Sequence, residues 1–192
     1  MSSTSVAPGL AEACARTLTA WQAPDAEQAR LRALYLEHLG RHGDGWSRSC
    51  RGAHVTASSL IWASERQQVL LTLHAKIGRW LQTGGHLEPA DGSLEAAALR
   101  EALEESGLSG LRLDPVPLLL SRHEVSCGGQ PTFHLDVQFL VLASEVVEPR
   151  FGAESLDVRW FPARALPEVD ASVRQLVEAA VARQRPSRAT GR

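Results

Sequence analysis

The chain has 192 residues, of which 44% are hydrophobic and 22% are charged, with a formal net charge of −2 and an isoelectric point near 6.4. This length and balance indicate one folded domain with a short extension, and they exclude an intrinsically disordered chain and nucleic-acid binding as the main task. Three widely spaced cysteines without a Cys-x-x-Cys pair predict neither a disulfide framework nor a zinc cluster. Cys127, in a Cys-Gly-Gly turn, is expected to be an exposed thiol without a partner base.

Residues 1–50 are predicted to form an N-terminal helical extension. The first five residues lack the basic start and apolar core of a signal peptide, and no apolar run approaches the ~18 residues of a membrane span. We therefore expect a cytoplasmic protein that does not contact a membrane. An apolar stripe over 10–22 predicts one helix, and Asp25 is expected to cap a second helix that reaches Leu39.

Residues 51–185 are predicted to form the main domain, followed by a flexible tail over 186–192. The patterns predict strands at 54–62, 68–74, 78–83, 116–125, 132–142 and 157–161, and helices at 94–106 and 170–184. Because strands and helices do not alternate regularly, this order favours an α+β sandwich with a mixed sheet.

The helix at 94–106 carries the most informative pattern. Ser93 is expected to cap its start, and Gly107 to end it in a left-handed conformation. At ~100° per residue, one face holds Glu101, Glu104 and Glu105, and the nearly opposite face holds Ala96, Leu99 and Leu103. Neighbouring like charges repel by a few tenths of a kcal/mol, roughly, per pair. A hard divalent cation such as Mg²⁺ would offset that repulsion. The alternative is a solvated acidic surface.

This segment resembles the signature of the Nudix hydrolase family, a glycine and a glutamate followed by Arg-Glu-aliphatic-any-Glu-Glu-any-Gly-aliphatic. Residues 100–108, Arg-Glu-Ala-Leu-Glu-Glu-Ser-Gly-Leu, match the second half. Asp91 stands six residues after Gly85, where the family has glutamate, but eight residues then separate it from Arg100, where the family has seven. We interpret this as a one-residue insertion, which leaves open whether Asp91 replaces a glutamate whose role in the family is mostly structural.

The resemblance implies a Nudix-type α/β/α sandwich and a metal site that binds Mg²⁺, with Mn²⁺ as an alternative. Glu101 and Glu105 would be the main metal ligands, Glu104 would join them directly or through water, and the Gly84 carbonyl would add a backbone oxygen. Arg100 would orient the glutamates by ion pairing. Members of the family hydrolyse the diphosphate linkage of nucleoside diphosphate derivatives, which brings negative oxygens that bridging metal ions can hold.

The general base is left open between Glu104 or Glu105 and a carboxylate before the last strand. There Glu154 is preferred over Asp157, because a similar late segment of the family carries a glutamate that ligates metal or activates water.

Three further residues are candidates for substrate binding. His86 follows two glycines and is expected either to contact substrate or to cover the loop. His134 and Asp136 share a polar stripe with Gln138, which predicts either a pocket lining or the solvated face of an edge strand.

The first functional hypothesis is thus a Mg²⁺-dependent hydrolase of a small nucleotide derivative. The alternatives are a non-catalytic nucleotide-binding domain of the same family and, ranked lower, an isoprenyl diphosphate isomerase, which needs a suitably placed cysteine. No nucleic-acid partner is expected, and a homodimer is left open.

Overall fold

The computed structural model describes residues 9–127, 129–150 and 155–185. In chain order the elements are α1 (Leu10–Ala20), α2 (Ala26–Arg41), β1 (Ala53–Ala63), β2 (Gln68–His74), β3 (Trp80–Leu81), β4 (Thr83–His86), α3 (Leu94–Ser106), β5 (Arg112–Cys127), β6 (Gln130–Ala143), β7 (Ser155–Pro162) and α4 (Ala171–Gln184). No helix in these ranges is both long enough and apolar enough to cross a bilayer.

The strands of the described residues form one mixed sheet. Its main order is β3-β2-β1-β6-β5, while β4 also pairs with β1 and β7 also pairs with β2. The pair of β1 and β6 is parallel and the other pairs are antiparallel. This confirms the predicted α+β fold with a mixed sheet.

Helices cover both faces of the sheet. Val55 and Val137 lie in one buried cluster with side chains of α1, α2 and α3. Trp62 and Leu140 lie in a second cluster with side chains of α4. Residues of β1 and β6 alternate between these clusters because successive side chains of a strand point to opposite faces. The architecture is therefore the α/β/α sandwich that the resemblance implies.

The two N-terminal helices share the core of the sheet. Asp25 caps α2 by accepting a hydrogen bond from the Gln28 N–H at 2.8 Å. The side chain of Gln28 bonds both backbone groups of Leu120, at 2.7 and 3.1 Å, and the Tyr35 hydroxyl donates to the Ser121 carbonyl at 2.8 Å. These bonds fix α2 to β5. The division of the chain near residue 50 stays a prediction.

Two strand boundaries differ from the prediction. The single strand predicted at 78–83 is two strands, since β3 pairs with β2 whereas β4 pairs with β1, and the chain changes partner at Gln82. Strand β5 begins at Arg112, and its register with β6 shifts between Asp114 and Leu119. Pro115 and Pro117 lie in this interval, and proline has no N–H for a strand ladder.

Strand β6 lies between β1 and β5, so it is an interior strand. Asp136 and Gln138 are 3% and 2% exposed. The interpretation of the polar stripe as the solvated face of an edge strand is therefore wrong.

Candidate functional site

Helix α3 has the bounds that its caps predict. The Ser93 side chain accepts a hydrogen bond from the Ala96 N–H at 3.1 Å, and Gly107 has φ +62° in the left-handed region. Its buried face consists of small and apolar side chains next to the glutamates, namely Leu94, Ala97, Ala98 and Ala102. The nearly opposite face is turned outward, and Leu103 is 38% exposed. Small alanines at the contact let the backbone of α3 lie close to the sheet.

Strand β4 brings two glycines against the acidic face of α3. A Cβ at Gly85 would lie 2.6 Å from Glu101 Oε1, closer than side-chain atoms can approach. The Gly84 N–H donates to Glu105 Oε1 at 3.3 Å. A Cβ at Gly84 would lie 2.3 Å from that of Ser58. Both positions therefore need glycine for the glutamates to reach β4.

Arg100 is the centre of the hydrogen-bond network beside these glycines. Its Nη1 donates to Glu101 Oε1 at 2.9 Å and to Glu104 Oε2 at 3.0 Å. Its Nη2 donates to the His86 carbonyl at 3.0 Å. One side chain thus bonds two glutamates of α3 and the end of β4, and the orienting role of Arg100 stays a prediction.

Asp91 completes this network despite the altered spacing. Its carboxylate accepts from Arg100 Nε at 2.8 Å and Nη2 at 3.1 Å, and from the Glu88 N–H at 2.6 Å. Burial alone raises the pKa of Asp91, but these hydrogen bonds outweigh burial and hold it below its usual range. The loop that contains the extra residue turns at Gly92, with φ +72°. Asp91 therefore makes a structural ion pair with Arg100.

The glutamates of α3 offer the oxygen donors that Mg²⁺ prefers. Burial raises the pKa of Glu101, and the hydrogen bond from Arg100 opposes this only in part. Glu104 is exposed, whereas Glu101 and Glu105 are half-buried. Two groups of described residues place possible ligand atoms within 4.8 Å of one another, and neither includes these glutamates. In this arrangement Arg100 pairs with both Glu101 and Glu104, and its single positive charge leaves the group of carboxylates with a net negative charge.

Two of the three predicted substrate residues lie together in a cluster of three histidines and a cysteine, which we call the His/Cys cluster: His54, His86, Cys127 and His134. Sequence reasoning missed His54, which reads as an ordinary strand residue. It also missed the neighbour of Cys127, whose Sγ lies 3.9 Å from His86 Nε2. Cys127 is half-buried, so the expectation of an exposed thiol without a partner base is wrong.

Asp136 does not face an open pocket. Its carboxylate accepts hydrogen bonds from the Thr56 hydroxyl at 3.0 Å, the Ser58 hydroxyl at 2.6 Å and the Gln138 amide at 3.2 Å. Burial raises its pKa, and the bond from Ser58 is the largest opposing effect. These contacts are typical of a structural carboxylate, which differs from the predicted contact with substrate.

The structure describes only one of the two candidates for the general base near the last strand, Glu154 and Asp157. Glu154 lies outside the described residues. Asp157 lies in β7 and forms an ion pair with Arg159 at 2.5 Å.

Gly85→Ala is expected to destabilise the protein by about 1–2 kcal/mol, because the added methyl group displaces the Glu101 carboxylate from Arg100. Urea unfolding measures the change. Gly40→Ala is the matched control, since Gly40 lies exposed in α2 with nothing within 4 Å of a new Cβ. An unchanged midpoint for Gly85→Ala would show that Glu101 moves without cost.

Acid is expected to destabilise the folded chain through the His/Cys cluster. Burial lowers the pKa of His86 to about 4 and that of His134 to about 3, both from 6.5. Below pH 6.5 these two histidines bind more protons in the unfolded chain than in the folded chain. The free energy of unfolding is therefore highest above that pH and decreases as pH falls. Each histidine then contributes a slope of about 1.4 kcal/mol per pH unit.

The measurement is urea unfolding of chelator-treated protein between pH 7 and pH 5, compared with the His86→Gln/His134→Gln variant. Asp136 and Glu101 have raised pKa values, so they increase the free energy of unfolding as pH falls, opposite to the histidines. The quantity compared is therefore the difference in slope between the wild type and the double variant. Exposed His42→Gln is the control. Equal slopes in the wild type and the double variant would contradict the assignment.

Comparison with known proteins places this geometry in a family. The NUDIX domain family matches residues 52–180. No curated protein matches the sequence.

Three solved structures illustrate the likeness. A MutT protein from Methanosarcina mazei Go1 is 18% identical, with a TM-score of 0.57 over 72% of this chain and 100% of that one. The NUDIX domain of Shewanella oneidensis NrtR, solved with ADP ribose, is 20% identical, with a TM-score of 0.54 over 77% of this chain and 96% of that one. A C. elegans Ap4A hydrolase is 16% identical, with a TM-score of 0.51 over 67% of this chain and 95% of that one. At these identities the likeness shows the fold. With the family match over most of its length, the chain belongs to the Nudix hydrolase family of pyrophosphate-cleaving enzymes.

Proposed function

We propose that the protein is a Mg²⁺-dependent hydrolase that cleaves the diphosphate linkage of a nucleoside diphosphate derivative. The observation that carries the proposal is the network in which Arg100 holds Glu101 and Glu104 beside Gly84 and Gly85. On a solvated acidic helix face, water would hydrate the carboxylates and no such network would be required. Here the Glu101 side chain is only 15% exposed, although burial of a carboxylate is unfavourable.

The donor set fits the metal that the family uses. Glu101, Glu104 and Glu105 supply carboxylate oxygens, and the Gly84 backbone lies beside Glu105. When bound, Mg²⁺ or Mn²⁺ would offset the negative charge of a diphosphate, polarise its phosphorus–oxygen bonds and lower the pKa of water. No sulfur or imidazole is among these four groups, which suits a hard cation.

The remaining residues of the site position these donors. Arg100 holds Glu101 in one orientation through a charge-assisted hydrogen bond, and Asp91 holds Arg100. Glu104 is the most exposed of the three glutamates, so it is a candidate proton acceptor toward bulk water. Glu105 and Glu154 remain the other proposed bases.

Two of the fold relatives support a nucleotide derivative as the substrate. The NrtR domain was solved with ADP ribose, and the C. elegans relative is an Ap4A hydrolase. We extend their common nucleotide chemistry to this chain as a proposal. The backbone of His86, whose carbonyl accepts a hydrogen bond from Arg100, remains the proposed contact to substrate. The cytoplasmic location and the homodimer also stay predictions.

The test is incubation of the full chain with a panel of nucleotide sugars, dinucleotides and nucleoside triphosphates in Mg²⁺, in Mn²⁺ and in excess chelator. We expect phosphate-containing products from at least one substrate, formed only when metal is present. Tight binding of a nucleotide without any product in Mg²⁺ or Mn²⁺ would instead favour the non-catalytic alternative. Products that form equally well in chelator would contradict the metal requirement.

A further inference from the structure

The His/Cys cluster lies on the sheet, and four strands contribute to it. His54 on β1 is the register partner of His134 on β6. His86 lies on β4, which pairs with the other edge of β1, and Cys127 ends β5. One ligand atom from each of the four residues lies within 4.8 Å of every other. The cluster therefore has the four nitrogen and sulfur donors of a closed metal site.

The spacing of the donors fits a tetrahedral ion. With Zn–N near 2.0–2.1 Å and Zn–S near 2.3 Å, tetrahedral angles place two nitrogens about 3.4 Å apart and a nitrogen and a sulfur about 3.6 Å apart. The two Nε2 atoms of His54 and His86 are 3.1 Å apart, and Cys127 Sγ is 3.9 Å from His86 Nε2. Both distances differ from the corresponding tetrahedral distance by a few tenths of an ångström, roughly, which small side-chain rotations cover.

Hydrogen bonds among the described residues, from His86 to His54 and to Cys127, account for only part of the cluster. His134 Nε2 is buried and has no hydrogen-bond partner in this part of the chain. Three imidazole rings lie with centroids 4.9–5.0 Å apart, and no described carboxylate bonds to them. Burial lowers the pKa of each ring, which keeps the imidazoles in the neutral form that ligates metal. A buried polar atom without a partner is costly, and an ion would remove that cost.

An ion has a route to the cluster. A cavity of about 490 Å³ is lined by His54 and Cys127 together with residues of the segment before β1 and of the start of β6. Arg48 and Arg51 also line this cavity, and their charge opposes a cation. Both side chains are exposed, so solvent and salt screen that repulsion, and a Cys127 thiolate would offset it.

We propose that His54, His86, His134 and Cys127 bind one Zn²⁺ ion at a structural site separate from the glutamates of α3. Imidazole and thiolate are the donors that select zinc over magnesium, and four protein ligands leave no open position for catalysis. On binding, the Cys127 thiol loses its proton to solvent and the sulfur becomes the fourth ligand. The ion would join β4 to β1, β6 and β5, and β4 carries the two glycines on which the acidic site rests.

The experiment uses the full chain, reduced and stripped of metal by a chelator, with Mg²⁺ present in excess to occupy hard oxygen sites. Zinc content after dialysis and a Zn²⁺ titration against a competing chromophoric chelator give stoichiometry and affinity. Co²⁺ replaces Zn²⁺ as a spectroscopic probe, because a bound thiolate gives a charge-transfer band in the near ultraviolet. We expect one ion per chain, a thiolate band, and a higher unfolding temperature with Zn²⁺ than without it.

Variants inside and outside the His/Cys cluster show whether zinc binds to these four residues. Cys127→Ser and His134→Gln should each weaken zinc binding by at least about 100-fold and abolish the tetrahedral cobalt spectrum. Cys50→Ser is the matched cysteine control, because Cys50 belongs to the second group of described ligands, with His42 and Asp44. His123→Gln is the matched histidine control, since its ring lies 5.5 Å from that of His134 but outside the ligand set.

Glu105→Gln distinguishes the proposal from the proposed function, since it should leave zinc binding unchanged. Circular dichroism checks that each variant folds. The cobalt spectra of the wild type and of Cys50→Ser are also compared, because a thiolate band that persists in Cys50→Ser does not come from Cys50, and this comparison leaves the four cluster residues unchanged. Less than stoichiometric zinc on the wild type would overturn the proposal. So would zinc binding that survives Cys127→Ser, or zinc binding that is lost in Glu105→Gln.

Discussion

Glu105→Gln is expected to lower turnover of the substrate found in the nucleotide panel by about 10³-fold while the chain stays folded. The amide keeps the size of the side chain and can still accept the hydrogen bond from the Gly84 N–H. It cannot supply the negative charge that a divalent cation requires. Steady-state kinetics in Mg²⁺ measures the loss, and urea unfolding shows that stability is retained.

Glu95→Gln is the matched control, because Glu95 lies on the same helix and accepts a hydrogen bond from the Thr17 hydroxyl at 2.8 Å, away from β4. Its turnover should stay close to that of the wild type. A second readout is protection by metal, since Mg²⁺ should raise the unfolding temperature of the wild type and of Glu95→Gln more than that of Glu105→Gln. Full turnover in Glu105→Gln would show that the metal site lies elsewhere.

The elements that could be predicted most accurately are those that local chemistry determines. Helix α3 has the predicted bounds because a serine cap and a left-handed glycine mark its two ends. The sequence also contained the Arg-Glu-any-any-Glu-Glu pattern in full. The role of Asp91 could not be read from spacing alone, since the extra residue is absorbed in the turn at Gly92 and the carboxylate still meets Arg100.

The features that escaped prediction depend on contacts between distant parts of the chain. The parallel pair of β1 and β6 joins residues 80 positions apart, and this register brings His54 beside His134. Cys127 reaches the same place only because β5 folds back on β6. The expectation that the cysteine spacing gives no zinc cluster considered neighbours in sequence, whereas these donors converge from four strands. An unpaired cysteine near the end of a strand, together with histidines in other strands, was the available signal.

Arg100→Met is expected to destabilise the protein by about 3 kcal/mol, the largest effect on stability among these changes. It removes five hydrogen bonds, to Asp91, Glu101, Glu104 and the His86 carbonyl. The side chain of Asp91 is 4% exposed and that of Glu101 is 15% exposed, so two poorly solvated carboxylates lose their partner. Urea unfolding at pH 7 measures the loss. Arg41→Met is the control, since its pair with Glu37 is 72% and 57% exposed and is worth well under about 1 kcal/mol.

The pH dependence of this loss separates an ion-pair network from simple packing. The hydrogen bonds from Arg100 hold the pKa of Asp91 below its usual value of 3.8, so this stabilisation is present above pH 3.8 and is lost as pH falls further. The difference between the wild type and Arg100→Met should therefore shrink in acid, while a loss due only to packing would persist. Arg100→Lys should recover only part of the stability, because an ammonium keeps the charge but cannot bond both oxygens of Asp91 in the planar geometry of a guanidinium. If Arg100→Met costs no more than Arg41→Met at pH 7, the network does not fix the glutamates, and the acidic face of α3 is an ordinary solvated surface.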